Sequence, residues 1–385
     1  MITSSDIYVL SFGYGRNFFD RTNRELERMR SCAQTLGALH MVIFTLQSEG
    51  FVPYTIGNLT LHPTNSKTRW LYCFDALRIG FTVLRDTSKQ WVIATQDPFE
   101  TGCVGLFVSW WRSVPLNVQE HGDFYSRPYW KTDQFSNRIR SIVGLFVLLR
   151  ADTVRVVSER IAHALQNRGI EIEKIIRLPV RTDALDGEVS IGSDLRQLYP
   201  QASVIILTMG RLVTQKNLPL LIDAFARLVV TEPQAKLVII GDGPLAPILK
   251  QRVVQSGILS QVAFIPWTDT PQSYMRTADI YALSSDWEGW ARVLVEAMEA
   301  GIPVVTTDVG CVGEVLKDRV HGLVVPPRAL DAFADALQEM VRDSSLRAEY
   351  GRNAQRAVGA CHVTMAVYAQ SLADLYVQTA QKKYV

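Results

Sequence analysis

Short runs of apolar residues alternate along this chain with longer stretches whose apolar residues recur at helical spacing, and no other feature limits the possible folds as much. A continuous apolar run of four to eight residues suits a strand buried on both faces, and a helical crossover to the next run makes the two strands parallel. The series opens with a strand over residues 6–12, a Gly13-Tyr14-Gly15 turn and a helix over 20–36. Strands over 38–46, 91–94, 116–120 and 153–158 follow, with a helix over 159–167. The stretch 179–200 breaks the pattern with glycines, acids and little periodicity, and is expected to link two domains. A second series then runs through strand 204–209, helix 217–231, strand 235–240, helix 246–257 and strand 262–264. Helix 272–278, strand 280–283, helix 291–300 and strand 303–306 continue it, and Gly301 stands where a left-handed residue would end the last helix. Residues after 330 read as helical to the end. The predicted fold class is α/β, with two Rossmann-like, doubly wound parallel-sheet domains. Their expected bounds are residues 1–190 and 191–364, with a C-terminal helix over 365–385 crossing back to the first.

Composition narrows the function. Hydrophobic residues make up 48% of 385, enough to fill two such cores. A net charge of +2 offers no field to a polyanion, so no nucleic-acid partner is expected. Five scattered cysteines form no CxxC pair and no Cys/His cluster, which argues against a disulfide framework or structural zinc and fits a reducing cytoplasm. The N-terminal segment lacks the pattern of a signal peptide, and the apolar runs 103–111 and 142–149 fall short of the ~20 residues that span a bilayer. A cytoplasmic enzyme is expected.

Ligands of doubly wound sheets bind beyond the carboxyl ends of the strands, and the informative polar residues stand there. After strand 204–209 come Gly210, Arg211 and, five residues on, Lys216. A planar guanidinium and a mobile ammonium suit a diphosphate; two solvated surface charges are the plainer alternative. Gly241-Asp242-Gly243-Pro244-Leu245-Ala246 satisfies the dinucleotide pattern GxGxxA, yet residues 261–268 lack the acid that pattern requires, and Pro244 suits a helix start. Glu288 lies in the loop after strand 280–283, and Glu296 falls eight residues later, in the second turn of the helix that starts near Ala291. Free N–H groups from Trp290 to Val293 can hold a phosphate while the carboxylates accept from sugar hydroxyls. A capping acid and a solvated helix face would look the same.

Together, Gly210-Arg211 with Lys216-Asn217, Gly241-Asp242-Gly243-Pro244, Glu288-x7-Glu296 and Gly301-Ile302-Pro303-Val304-Val305 resemble the retaining glycosyltransferases of family four. That family has the GT-B architecture, two Rossmann-like domains facing across a cleft. The match is specific from 204 to 326 and looser in the first domain, where it rests on Gln96-Asp97-Pro98-Phe99, His121-Gly122-Asp123 and Val157-Ser158-Glu159. The resemblance implies transfer of a hexosyl group from a UDP- or GDP-sugar to a hydroxyl of a glycan, a lipid-linked acceptor or a small molecule. It implies that Arg211 and Lys216 bind the diphosphate, with the backbone of Gly289, Trp290, Ala291 and Arg292 and with Gly13 and Gly15 closing over the phosphates. By the same resemblance Glu296 binds the ribose, and Ile265, Pro266 and Trp267 support the base. His121 and Glu288 are the catalytic candidates beside the transferred sugar, with Asp97, Asp123 and Glu314 on the sugar and acceptor side. Two departures stand out: Trp290-Ala291 where the family often has Phe-Gly, and Gly13 and Gly15 separated by Tyr14 where two adjacent glycines are usual.

No Asp-x-Asp and no metal-ligand cluster occurs in the sequence, so charge on the leaving nucleotide falls to Arg211, Lys216 and helix N–H groups. Neither a metal nor another cofactor is expected; the nucleotide sugar is a co-substrate. A nucleotide-sugar epimerase or hydrolase, or a binding module without turnover, would use the same donor pocket. Between 127 and 150, Arg127, Lys131, Arg138, Arg140 and Arg150 mix with Tyr129, Trp130 and Phe135. This stretch reads either as a solvated helix face followed by a buried helix or as a peripheral contact with an anionic membrane.

Overall fold

The computed structural model describes residues 2–21, 23–181, 194–268, 270–361 and 363–384. Of the expected linker, residues 182–193 lie outside the described residues. The chain forms two compact units, Met1–Pro179 with Val363–Val385, and Val180–His362.

The sheet of the first unit contains β1 (Ile7–Gly13), β2 (Ala38–Ile43), β3 (Tyr54–Ile56), β4 (Leu59–Pro63), β5 (Gln90–Thr95), β6 (Leu116–Glu120), β7 (Thr153–Val156) and β8 (Ile175–Arg177). Their order is β3-β4-β2-β1-β5-β6-β7-β8, parallel except for the β3–β4 pair. Connections run outward in opposite directions from β1 and β5, so the strand order reverses between them. Covered on both faces, β6 is buried along its whole length, as its sequence position in a crossover series requires. The helix Met365–Tyr384 returns to this unit, and Tyr368, Leu372 and Tyr376 share one core with Ile7, Val9 and Met41.

The second unit holds β9 (Ile205–Met209), β10 (Lys236–Ile240), β11 (Val262–Ile265), β12 (Ile280–Leu283), β13 (Val304–Thr307) and β14 (Gly322–Val325). All its pairs are parallel, in the order β11-β10-β9-β12-β13-β14, and the reversal falls between β9 and β12. Gly301 is left-handed (φ 76°) just past helix Arg292–Glu299, as its position predicts. Four strands stand beyond the sequence reading: β3, β4, β8 and β14, each of three to five residues.

Candidate functional site

The reversal between β9 and β12 opens a crevice at their carboxyl ends, and two loops fill it from opposite sides. Lys216, from the loop after β9, pairs through Nζ with Glu288 Oε1 at 2.5 Å. Glu288, from the loop after β12, also accepts from Ser285 Oγ at 2.8 Å and Gln215 Nε2 at 3.2 Å. The carboxylate is buried, and a buried pair holds only where its remaining lone pairs are engaged, as they are here. Further bonds lock the loops together. Asp286 N donates to Gln215 O at 2.9 Å, Ser284 Oγ to Lys216 O at 2.8 Å, and Asn217 Nδ2 to Asp286 Oδ1 at 2.8 Å. Arg328 holds Asp286 from the other side at 2.7 Å. Arg211, by contrast, is exposed. Sequence reasoning singled out Lys216 and Glu288 but missed Gln215, Ser285, Asp286 and Arg328, which fix them.

Beyond Glu288 the chain enters helix Arg292–Glu299 through Ala291, which is left-handed (φ 58°) and whose carbonyl accepts from Leu294 N at 2.8 Å. Gly310 sits against this entry: a Cβ there would lie 2.6 Å from Trp290 O. The following Cys311 N donates to that same carbonyl at 2.9 Å. Glu296 accepts from Arg292 Nε at 2.9 Å. Both Glu296 and Glu288 act on the buried Tyr281 phenol, which burial chiefly pushes up. Glu314 lies half-buried in the turn after Gly310, where no helix begins.

The glycines of Gly241-x-Gly243 have a packing reason. A Cβ on Gly243 would lie 2.5 Å from Leu212 O, and one on Gly241 would strike Gly210 O. They let the loops after β9 and β10 touch, while Asp242 Oδ2 accepts from Trp267 N at 3.0 Å and anchors the segment after β11. Ile265 is half-buried there, and Pro266 and Trp267 are exposed.

In the first unit His121 follows β6. Its Nε2 lies 2.9 Å from Gln119 Oε1, which also accepts from Arg155 Nη1 at 3.0 Å. An oxygen already facing a guanidinium is an acceptor, so Nε2 carries the hydrogen and Nδ1 keeps its lone pair. Crowding of the ring by protein atoms, with Arg155 and Arg28 near, pushes its pKa down to about 3, although the residue remains exposed at one edge. His121 is therefore a neutral ring at the wall of a cavity of about 420 Å³, shared with Ser11, Tyr14, Gln96 and Asp97. Gly13 leaves room for the Gln96 side chain, whose Oε1 accepts from Tyr14 N at 3.1 Å, and Gly15 (φ 137°) lies against Phe18.

Three carboxyls gather nearby. Burial pushes Asp97 up to about 6, although Phe99 N donates to its Oδ1 at 2.7 Å. Asp123 is held by Ser126 and is also raised by burial. Glu120 is fully buried, both its oxygens lack hydrogen-bond partners, and burial with Asp123 and Asp97 raises it well above the carboxylate range. Sequence reasoning placed Glu120 at the end of a strand and at the start of an acceptor-side stretch without giving it a role of its own, although a Glu ending a fully buried strand is itself a signal. Among the described residues no three His, Cys, Asp or Glu side chains group to hold a metal, and no helix is long and apolar enough to cross a membrane.

Two Rossmann-like parallel-sheet units, one with cations and carboxylates gathered where its strand order reverses, define the GT-B class of glycosyltransferase folds. Residues 196–357 match the model of the family Glycosyl transferases group 1. The crystal structure of Anabaena Alr3699/HepE in complex with UDP and glucose superposes with a TM-score of 0.73 at 19% identity, over 95% of this chain and 98% of that one. An uncharacterized glycosyltransferase of Methanocaldococcus jannaschii is 33% identical over 156 residues, 40% of each chain. The N-acetylgalactosamine-N,N'-diacetylbacillosaminyl-diphospho-undecaprenol 4-alpha-N-acetylgalactosaminyltransferase of Campylobacter jejuni is 29% identical over 225 residues, 57% of this chain and 60% of that protein. The chain thus spans about half the length of the curated relatives it matches.

Proposed function

We propose that the protein is a retaining, metal-independent glycosyltransferase that moves a hexosyl group from a nucleotide-diphosphate sugar to a hydroxyl. One observation carries this: a buried carboxylate, Glu288, ion-paired to Lys216 beside the exposed Arg211 at the strand reversal of the second unit. A diphosphate entering there meets both cations and the N-terminal end of helix Arg292–Glu299, which stabilise the leaving nucleotide without a metal. As Lys216 turns to phosphate, Glu288 is released to accept from hydroxyls of the transferred sugar. Glu296 takes the ribose hydroxyls, and the segment Ile265, Pro266 and Trp267 the base. His121 offers its Nδ1 lone pair to a sugar hydroxyl; attack on the same face, with a donor phosphate oxygen taking the acceptor's proton, retains the anomeric configuration. UDP is the favoured nucleotide over GDP because the structural neighbour holds UDP. A glycan or lipid-linked acceptor, with peripheral membrane contact through residues 127–150, is favoured by the diphospho-undecaprenol named for the Campylobacter relative.

The test is nucleotide release from UDP-sugars, with and without EDTA, in wild type and Glu288→Gln. Turnover should survive EDTA. The variant should lose about 10²-fold or more in kcat, as when a group acting in the transition state is removed, while still binding UDP. A strict Mg²⁺ requirement, or a fully active Glu288→Gln, would falsify the mechanism.

A further inference from the structure

Two neighbouring helices of the first unit turn apolar faces to solvent. In helix Glu100–Arg112, Phe107, Trp110 and Trp111 form one exposed stripe. In helix Phe135–Arg150 the exposed residues Phe135, Ile139, Ile142, Phe146 and Leu149 recur at helical spacing, whereas Asn137 and Ser141 are buried. This reverses the arrangement of an ordinary surface helix. Rings join the helices: Trp110 lies 6.3 Å from Phe146, and Phe107 lies 6.3 Å from Phe81 of helix Tyr72–Val83. Phe74, seven residues before Phe81, and Trp70, 94% exposed, extend the series. An exposed apolar surface of this size marks an interaction site.

We infer that this three-helix face docks on an anionic lipid bilayer. The inference rests on the transferase reading and deepens it, since it moves the membrane contact from residues 127–150 alone to a surface that also takes in 70–81 and 107–111. Charge selects the partner. Helix Phe135–Arg150 carries three arginines and no acid. Arg112 and Arg150 lie over the rings of Phe81 and Phe146, 5.5 and 3.6 Å from their centroids, so cations rim the aromatic surface. Of the acids nearby, Glu100 is paired with Arg140 and Asp75 with Arg78. A second copy would set these arginines against one another, whereas anionic headgroups neutralise them. Three of the chain's eight tryptophans, Trp70, Trp110 and Trp111, stand exposed on it, the residue type that settles at headgroup depth. Trp70 also walls a cavity of about 610 Å³ with Arg69, Tyr72, Glu100 and Arg16, the last paired with Glu49 at 2.8 Å, so Arg69 brings a further cation to the end of the apolar face.

Sedimentation with phosphatidylcholine vesicles, with and without phosphatidylglycerol, tests the inference. The wild-type chain should pellet with the anionic vesicles and stay in solution with the neutral ones. Phe107→Ser/Trp111→Ser/Phe146→Ser, which changes exposed or half-exposed rings only, should bind about tenfold or more weakly with an unchanged Tm. Arg112→Gln/Arg138→Gln/Arg150→Gln should lose binding as added salt does. Equal pelleting with both vesicle types, no pelleting with the anionic ones, or full binding by the serine variant overturns the inference. A wild-type dimer in light scattering that the serine variant dissolves also overturns it, giving the face to a second copy. UDP release measured on the same variants without vesicles reports separately on the transferase reading.

Discussion

A neutral imidazole at position 121 is a different tool from a charged one. Crowded by protein atoms with Arg155 and Arg28 near, yet exposed at one edge, the ring keeps the Nδ1 lone pair that can orient a hydroxyl, and its pKa is held below the physiological range. Asp97 titrates there instead, at about 6. Its folded pKa lies above its unfolded value, so the native state binds its proton more tightly. That contribution to stability is complete below about pH 4 and is lost as pH rises through about 6. At about pH 8 the cost of burying the charge, with Glu100 near, outweighs what the Phe99 N–H, Thr101 and Arg140 return. Asp97→Asn keeps an oxygen for the Phe99 N–H and removes the charge. It should raise stability by up to about 2 kcal/mol near pH 8 and by little near pH 4. Thermal melts at the two pH values check this, and a variant less stable than wild type near pH 8 would refute the buried-charge account.

Elements set which loops can approach one another, and glycines permit the closest approaches. Gly310 is left-handed (φ 59°), and a Cβ there would lie 2.6 Å from Trp290 O and 2.7 Å from the Ala291 side chain. Gly310→Ala should cost about 1–3 kcal/mol and displace the entry to helix Arg292–Glu299, weakening UDP binding severalfold; calorimetric titration beside a thermal melt measures both, and wild-type values in each would rule the contact unimportant. The same geometry explains what the sequence could show. Strands β1, β6, β9 and β12 were legible because a strand covered on both faces needs a continuous apolar run. Edge strands β3 and β8, of three residues each, carry no period long enough to read. Lys216 and Glu288 were legible as strand-end candidates, but their ion pair spans 72 residues and exists only because the strand order reverses between β9 and β12. The run 142–149 stayed ambiguous because periodicity shows that a helix has an apolar face, not which way that face looks.

At the scale of the whole molecule, the first unit is closed by the last residues of the chain. Its core draws on β1, β2 and β4 and on helix Met365–Tyr384, which contributes Tyr368, Leu372, Leu375 and Tyr376. The helix also steadies the site: Tyr368 OH accepts from Arg155 Nη2 at 2.8 Å, and Arg155 in turn holds the Gln119 oxygen that fixes the His121 tautomer. The core of the second unit, by contrast, is built from residues between 204 and 350. Fully burying a large apolar side chain is worth about 1.5–3 kcal/mol. Losing four of them approaches the roughly 5–15 kcal/mol that holds a domain folded. Deleting residues 363–385 should therefore unfold the first unit and leave the second intact. Calorimetry of the full chain should show two transitions, of which the deletion removes one, and UDP should still raise the Tm of the survivor. Two transitions in the shortened chain would mean that the helix only decorates a unit already complete, and loss of both would mean that the second unit depends on the first.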